Sequence, residues 1–182
     1  QSTSIGPGDY YVGGGGLVLY RIGPDGKPRA VKKYRNETDA MDALGAGWPD
    51  FGELIRRLGS VQIRNSGTIG GNVANGSPIG DSMPALIALA AELVLRKGSA
   101  RRVLPLEDFY VAYQRTALQP GEFVAAVRVL SRPADVLLRS YKVSKRYDQD
   151  ISAVFACFAL QLAGDRVVDA RIGCGGVAPI PA

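Results

Sequence analysis

Residues 64–81, RNSGTIGGNVANGSPIGD, concentrate groups that can bind a ligand and few that can fill a core. Five glycines lack a Cβ, so the backbone can take positive φ and a ligand can approach the main chain closely. In TIGGN, Thr68, Gly70, Gly71 and Asn72 can offer N–H groups and a hydroxyl to a phosphate. An anion at the start of the following helix would gain from its dipole. Asn75, Ser77 and Asp81 add polar side chains able to reach a sugar or polyol. Together these suit a nucleotide-like cofactor. The pattern is neither a Walker loop, which needs GK[ST] after its glycines, nor a GxGxxG fingerprint after a strand. On glycine content alone, a structural Ω-type loop explains it equally well. The second glycine run, VGGGG at 12–16, reads as a turn.

Composition narrows the chemistry. The 182 residues contain no histidine, which excludes Ser-His-Asp and Cys-His catalysis, the usual zinc sites and histidine general-base chemistry. The two cysteines, Cys157 and Cys174, lie in apolar runs and cannot supply a disulfide framework or a four-cysteine cluster. They read as core residues in a reducing compartment. The net charge is +5, but Lys and Arg are spread in local pairs, with no continuous basic stripe or aromatic platform for nucleic acid. No apolar run reaches membrane-spanning length, and QSTSIGPGDYY does not look like a secretion signal, so the expected location is cytoplasmic. Any demanding chemistry must be borrowed from a cofactor.

The elements that must position residues 64–81 follow from periodicity and punctuation. IGPDGKP reads as a turn between two short strands. NETDAMDAL predicts a helix capped by Asn36 or Thr38 and ended by Gly45 or Gly47. A second helix is predicted at 49–58, with Phe51, Leu54, Ile55 and Leu58 on one face and Gly59 as terminator. After the glycine-rich stretch, Asp81 or Ser82 can cap a helix with Pro84 in its first turn, apolar nearly all round and therefore buried. ELVLRKGSARRVLP predicts two strands about a turn, LEDFYVAYQ a short helix, and EFVAAVRVL a strand. Beyond Arg132-Pro133, a candidate boundary, three further strands are expected, the last two joined at Ala163-Gly164-Asp165. The order is that of an α+β protein.

FGELIRRLGSVQIRNSGTIGGNVANGSPIGDSMPALIALAAELVL, LPLEDFY and SYKVSKRYDQDISAV resemble the FAD-binding subunit or domain of bacterial xanthine dehydrogenases, within the molybdenum hydroxylase family. The resemblance runs from Thr38 to Ala182, about four-fifths of the chain. It implies an FAD-binding domain of the PCMH/vanillyl-alcohol-oxidase type over 1–132, followed by the start of a flavoprotein C-terminal α+β domain over 133–182. The first domain is expected to be N-terminally shortened, because VGGGGLVL only loosely matches the family's AGGTD phosphate loop and Thr38 follows too soon. By the same resemblance, Thr68, Ile69, Gly70, Gly71 and Asn72 hold FAD, Asp81 is a cofactor-binding aspartate and Lys142 contacts FAD. Leu58 and Val124 take apolar positions beside the cofactor.

The implied function is electron transfer from [2Fe-2S] clusters through FAD to NAD+ during oxidation of hypoxanthine or xanthine to urate. The clusters and the molybdopterin would sit on an iron-sulfur domain and a molybdenum-binding large subunit, with no nucleic acid and no membrane involved. The alternatives are the FAD subunit of a carbon monoxide dehydrogenase or aldehyde oxidase type, or a non-catalytic fragment that no longer retains FAD.

Overall fold

The computed structural model describes residues 10–13, 18–22, 28–33, 45, 47–129, 135–147 and 149–182. The helix expected over 36–44, most of the VGGGG run and the Arg132-Pro133 boundary lie outside the described residues.

Pro49 opens helix α1 (Pro49–Arg57), where its missing N–H costs nothing, and Asp50 and Arg56-Arg57 complement the two ends of the helix dipole. The helix buries Phe51, Leu54 and Ile55, the face that the sequence spacing indicates. It stops at Leu58, and Gly59 adopts the left-handed φ of 59° that turns the chain. The glycine-rich stretch that follows is not one open loop. It contributes to two short helices, α2 (Val61–Ser66) and α3 (Ile69–Asn75), each started by a hydroxyl cap. Ser60 accepts a hydrogen bond from the Ile63 N–H at 3.3 Å, and Thr68 accepts one from the Gly71 N–H at 3.0 Å. Gly76 ends α3 with φ 58°.

Helix α4 (Ser82–Ala88) is buried at every residue, as its uniformly apolar sequence requires. The first sheet is antiparallel and six-stranded. It contains β1 (Tyr10–Gly13), β2 (Val18–Ile22), β3 (Pro28–Lys33), β4 (Glu92–Lys97), β5 (Ala100–Pro105) and β8 (Phe123–Val129), in the order β3-β2-β1-β8-β4-β5. The β2–β3 hairpin flanks IGPDGKP as expected, and β4–β5 turn at Gly98 with φ 58°. A second sheet is the antiparallel meander β9 (Val136–Ser144), β10 (Ser152–Ala163) and β11 (Arg166–Gly175), with its second turn at Gly164. Helix α4 packs on β10 and β11 so closely that a Cβ on Gly173 would lie 2.0 Å from the Pro84 carbonyl oxygen.

LEDFYVAYQ departs from expectation. Only Leu106–Phe109 forms a single 3₁₀ turn, and Tyr110–Ala112 (β6) then pairs with Arg115–Thr116 (β7). Leu106 and Phe109, three residues apart, suit the 3₁₀ period, whereas Tyr110 and Val111 favour extended backbone. The core gathers Phe51, Ile55, Met83, Leu86, Leu93, Leu95, Leu106, Phe109 and Phe155. Burying each such side chain is worth about 1.5–3 kcal/mol. Among the described residues, no helix is long and apolar enough to cross a membrane.

Candidate cofactor-binding site

Two adjoining cavities open where the α1–α2 turn, α3 and the start of α4 meet β9 and β10. The smaller, about 190 Å³, is lined by Ile55, Leu58, Ile63, Ile69, Thr68 and Asn72 among others, and is mostly apolar. The larger, about 410 Å³, shares Leu58, Ile63 and Asn72 and adds Ser77, Asp81, Lys142, Asp150 and Ser152. Together they fall within the usual range of small-molecule sites, an apolar lining with a few placed polar groups.

The shape of the apolar part depends on Arg64. Its guanidinium donates to the carbonyls of Arg56, Leu58 and Gly59, at 3.1, 3.3 and 2.8 Å, and so closes the C-terminal end of α1 and fixes the turn that presents Leu58. On the next wall, the Thr68 cap sets the start of α3, and the buried Tyr110 hydroxyl donates to the Val73 carbonyl at 3.0 Å. Burial pushes the Tyr110 phenol well above its ordinary range, so it stays a donor. The Ser82 hydroxyl donates to Asn72 Oδ1 and ties α3 to α4. What Asn72 has left to offer a ligand is its amide Nδ2.

The polar wall centres on Asp81, which is 5% exposed. Lys142 Nζ donates to Asp81 Oδ2 at 2.5 Å, and the Ser152 hydroxyl donates to Oδ1. This buried ion pair joins the residue before α4 to β9 and β10. The β9 strand is itself tied to α1, because the Ser140 N–H donates to Asp50 Oδ2 at 2.8 Å. Tyr147, beyond the end of β9, is fastened to the same helix. Arg57 lies 4.5 Å over the Tyr147 ring and donates to the Tyr147 carbonyl at 2.8 Å.

Of the residues expected from sequence, Leu58, Thr68, Ile69, Asn72, Asp81 and Lys142 line these cavities. Gly70 and Val124 meet each other instead and line neither cavity: a Cβ on Gly70 would rest 3.5 Å from the Val124 carbonyl oxygen. Gly71 sits beside the Thr68 hydroxyl, and Asn75 is exposed at the far end of α3. Neither glycine takes positive φ; both are helical. Ile63, Arg64 and Ser152 were not singled out by sequence reasoning. Ile63 and Arg64 belong to a helix with no buried residue and hence no apolar stripe. Ser152 stands inside DISAV, where a small residue before an apolar run reads only as strand.

Known proteins resemble this chain over most of its length. The family model described as "FAD binding domain in molybdopterin dehydrogenase" matches residues 34–129, and that of the "CO dehydrogenase flavoprotein C-terminal domain" matches 139–182. The chain is similar to the carbon monoxide dehydrogenase medium chain of Afipia carboxidovorans, 36% identical over 77% of this chain and 48% of that one. It is also similar to the xanthine dehydrogenase of Emericella nidulans, 34% identical over 84% of this chain and 11% of that protein. In the solved carbon monoxide dehydrogenase of Hydrogenophaga pseudoflava, the matching chain superposes with a TM-score of 0.75 at 26% identity, over 92% of this chain and 55% of that one. The chain thus spans about half or less of the length of these relatives. Its α+β fold is that of their FAD-binding domain, and the chain belongs to the family of FAD-binding domains of molybdopterin dehydrogenases.

Proposed function

We propose that the paired cavities hold FAD and that the chain is the FAD-carrying electron-transfer component of a molybdenum hydroxylase of the xanthine dehydrogenase type. The observation that carries this reading is the meeting, at one cavity, of the apolar Leu58 and Ile63 with Asn72, Asp81 and Lys142. An apolar floor suits a flat aromatic ring, and an amide with a buried ammonium suits the oxygens of a nucleotide. The donor set therefore fits a flavin nucleotide. When bound, FAD supplies the redox chemistry that links one-electron iron-sulfur carriers to a two-electron acceptor.

The protein's part is to bind, orient and exclude water. Lys142 carries three donors, of which the pair with Asp81 uses one, and presents the others to an anionic or carbonyl oxygen. Asn72 Nδ2 adds a neutral donor, and Leu58, Ile63 and Ile69 keep water from the ring. Thr68 and Gly71 set the start of α3, while Gly70 lets the helix approach Val124 of β8. Asn75 stands outside this grip.

The remaining parts are proposed on the same resemblance. FAD passes electrons from [2Fe-2S] clusters on a partner domain to NAD+, while a molybdopterin-bearing large subunit oxidises hypoxanthine or xanthine. The domains divide at 132/133, a point flanked by the two matched segments. A cytoplasmic location is supported by two free cysteines. A second reading, a fragment that no longer retains FAD, is favoured by one observation: β1, β2 and β3 pair as antiparallel strands in the stretch where VGGGGLVL only loosely matches the family's AGGTD phosphate loop.

The test is to mix the purified chain with FAD, remove the excess and record the visible spectrum. A retained flavin band, weakened in Asn72→Ala and Lys142→Met, is expected. A colourless unmodified chain overturns the FAD reading in favour of the fragment. Bleaching of the retained flavin by NADH is expected for the NAD+ role. Urate formation by the complex reassembled with its molybdenum subunit separates xanthine oxidation from carbon monoxide or aldehyde oxidation.

A further inference from the structure

We infer that Asp81 and Ser152 act on the ligand through Lys142, as positioning residues that fix its ammonium in the cavity wall. This inference rests on the FAD reading above for the identity of the ligand, but not for the arrangement itself.

Asp81 occupies the position before α4 from which an aspartate normally caps a helix, yet its side chain makes no capping hydrogen bond. Both carboxylate oxygens turn to the meander instead, Oδ2 to Lys142 and Oδ1 to Ser152. The register explains how the two donors converge. Ser152 pairs with Ser144, and Lys142, two residues before Ser144, projects from the same face of β9. All three side chains are buried: Ser152 is 2% exposed, and the Lys142 and Asp81 side chains 7% and 6%.

A buried ion pair is a weak source of stability, because desolvation offsets the attraction unless the remaining lone pairs are satisfied. Ser152 satisfies one of them and holds the carboxylate in a single orientation. That in turn fixes a long side chain that otherwise has much rotamer freedom to lose on binding. A ligand entering the cavity meets a pre-placed cation, so its binding does not have to order Lys142. Asp81, with both oxygens engaged inside the protein, shapes the site by holding Lys142.

Two measurements test this. In the ligand-free chain, the rate at which an amine-reactive acetylating reagent modifies Lys142 is followed by mass spectrometry. Ser152→Ala is expected to raise that rate about tenfold, the order expected for losing one hydrogen bond to a charged group, and Ser152→Thr to restore it. Unchanged labelling overturns the inference. The second measurement is FAD affinity in a double-mutant cycle. Ser152→Ala is expected to weaken binding about tenfold with Lys142 present and to change nothing in the Lys142→Met background. An undiminished loss in that background means that Ser152 acts independently and overturns the inference. If the unmodified chain binds no FAD, the FAD reading fails, while the labelling comparison still decides whether Ser152, acting through Asp81, positions Lys142.

Discussion

A methyl group on Gly71 would sit 2.7 Å from Thr68 Oγ1, inside contact distance of the hydroxyl that starts α3. A methyl on the neighbouring Gly70 would meet the Val124 carbonyl at 3.5 Å, an ordinary contact. Gly71→Ala should therefore displace the cap and lower stability by about 1 kcal/mol. Gly70→Ala should be neutral or stabilising by up to about 1 kcal/mol, since alanine is the better helix former. Thermal unfolding of the two variants side by side reads the opposite signs. Burial, and next the negative charge of Asp50, push the Cys157 thiol up to about 12, so it should resist alkylation in the native chain. Cys174 is partly exposed, and native labelling should find one reactive thiol against two after denaturation. Glu122 shows the reverse shift: the Arg102 guanidinium, then the Gln119 N–H, hold its carboxyl down to about 2. A depressed folded value means that its stabilising contribution is present above the unfolded value of 4.5 and is lost as pH falls towards 2. Arg102→Leu should flatten the acid dependence of stability in that window, measured by denaturant unfolding at a series of pH values.

At the scale of elements, local signals were readable and distant partnerships were not. Helix α1 announced itself by Pro49, by the spacing of Phe51, Leu54 and Ile55, and by Gly59, all within eleven residues. Helix α4 announced its burial by being apolar on every side. Helices α2 and α3 were hidden, because Gly67, Gly70 and Gly71 lower helix propensity and the exposed Val61 and Ile63 make no stripe. They form because hydroxyl caps and contacts with Arg64 and Tyr110 supply what propensity lacks. Asp81 could be read as a polar group near a helix start, but its partners lie 61 and 71 residues away and come together only through the meander. A tight joint between elements is equally non-local. Gly173→Ala would drive a methyl against the main chain of Pro84, which cannot move aside as a side-chain tip can. It should destabilise more than Leu86→Ala, for which a loss of about 2–5 kcal/mol is expected from denaturant melts.

At the scale of the whole molecule, the cavity is built by both matched segments: Leu58, Asn72 and Asp81 come from the first, Lys142 and Ser152 from the second. FAD that binds the folded chain alone must stabilise it by mass action, about 2.7 kcal/mol at a hundredfold excess over the dissociation constant. The midpoint of thermal unfolding should rise with FAD concentration, and the rise should shrink in Lys142→Met. The contact between Gly173 and Pro84 bears on motion as well as on stability. Where backbone meets backbone without an intervening side chain, α4 and β11 cannot slide past one another by even the width of a methyl group. Asp81, at the head of α4, is therefore carried on a helix locked against the same meander that supplies Lys142 and Ser152. At the rim of the larger cavity, the largely exposed Tyr147 is held to α1 at the surface, by its hydroxyl to Arg56 and its carbonyl to Arg57.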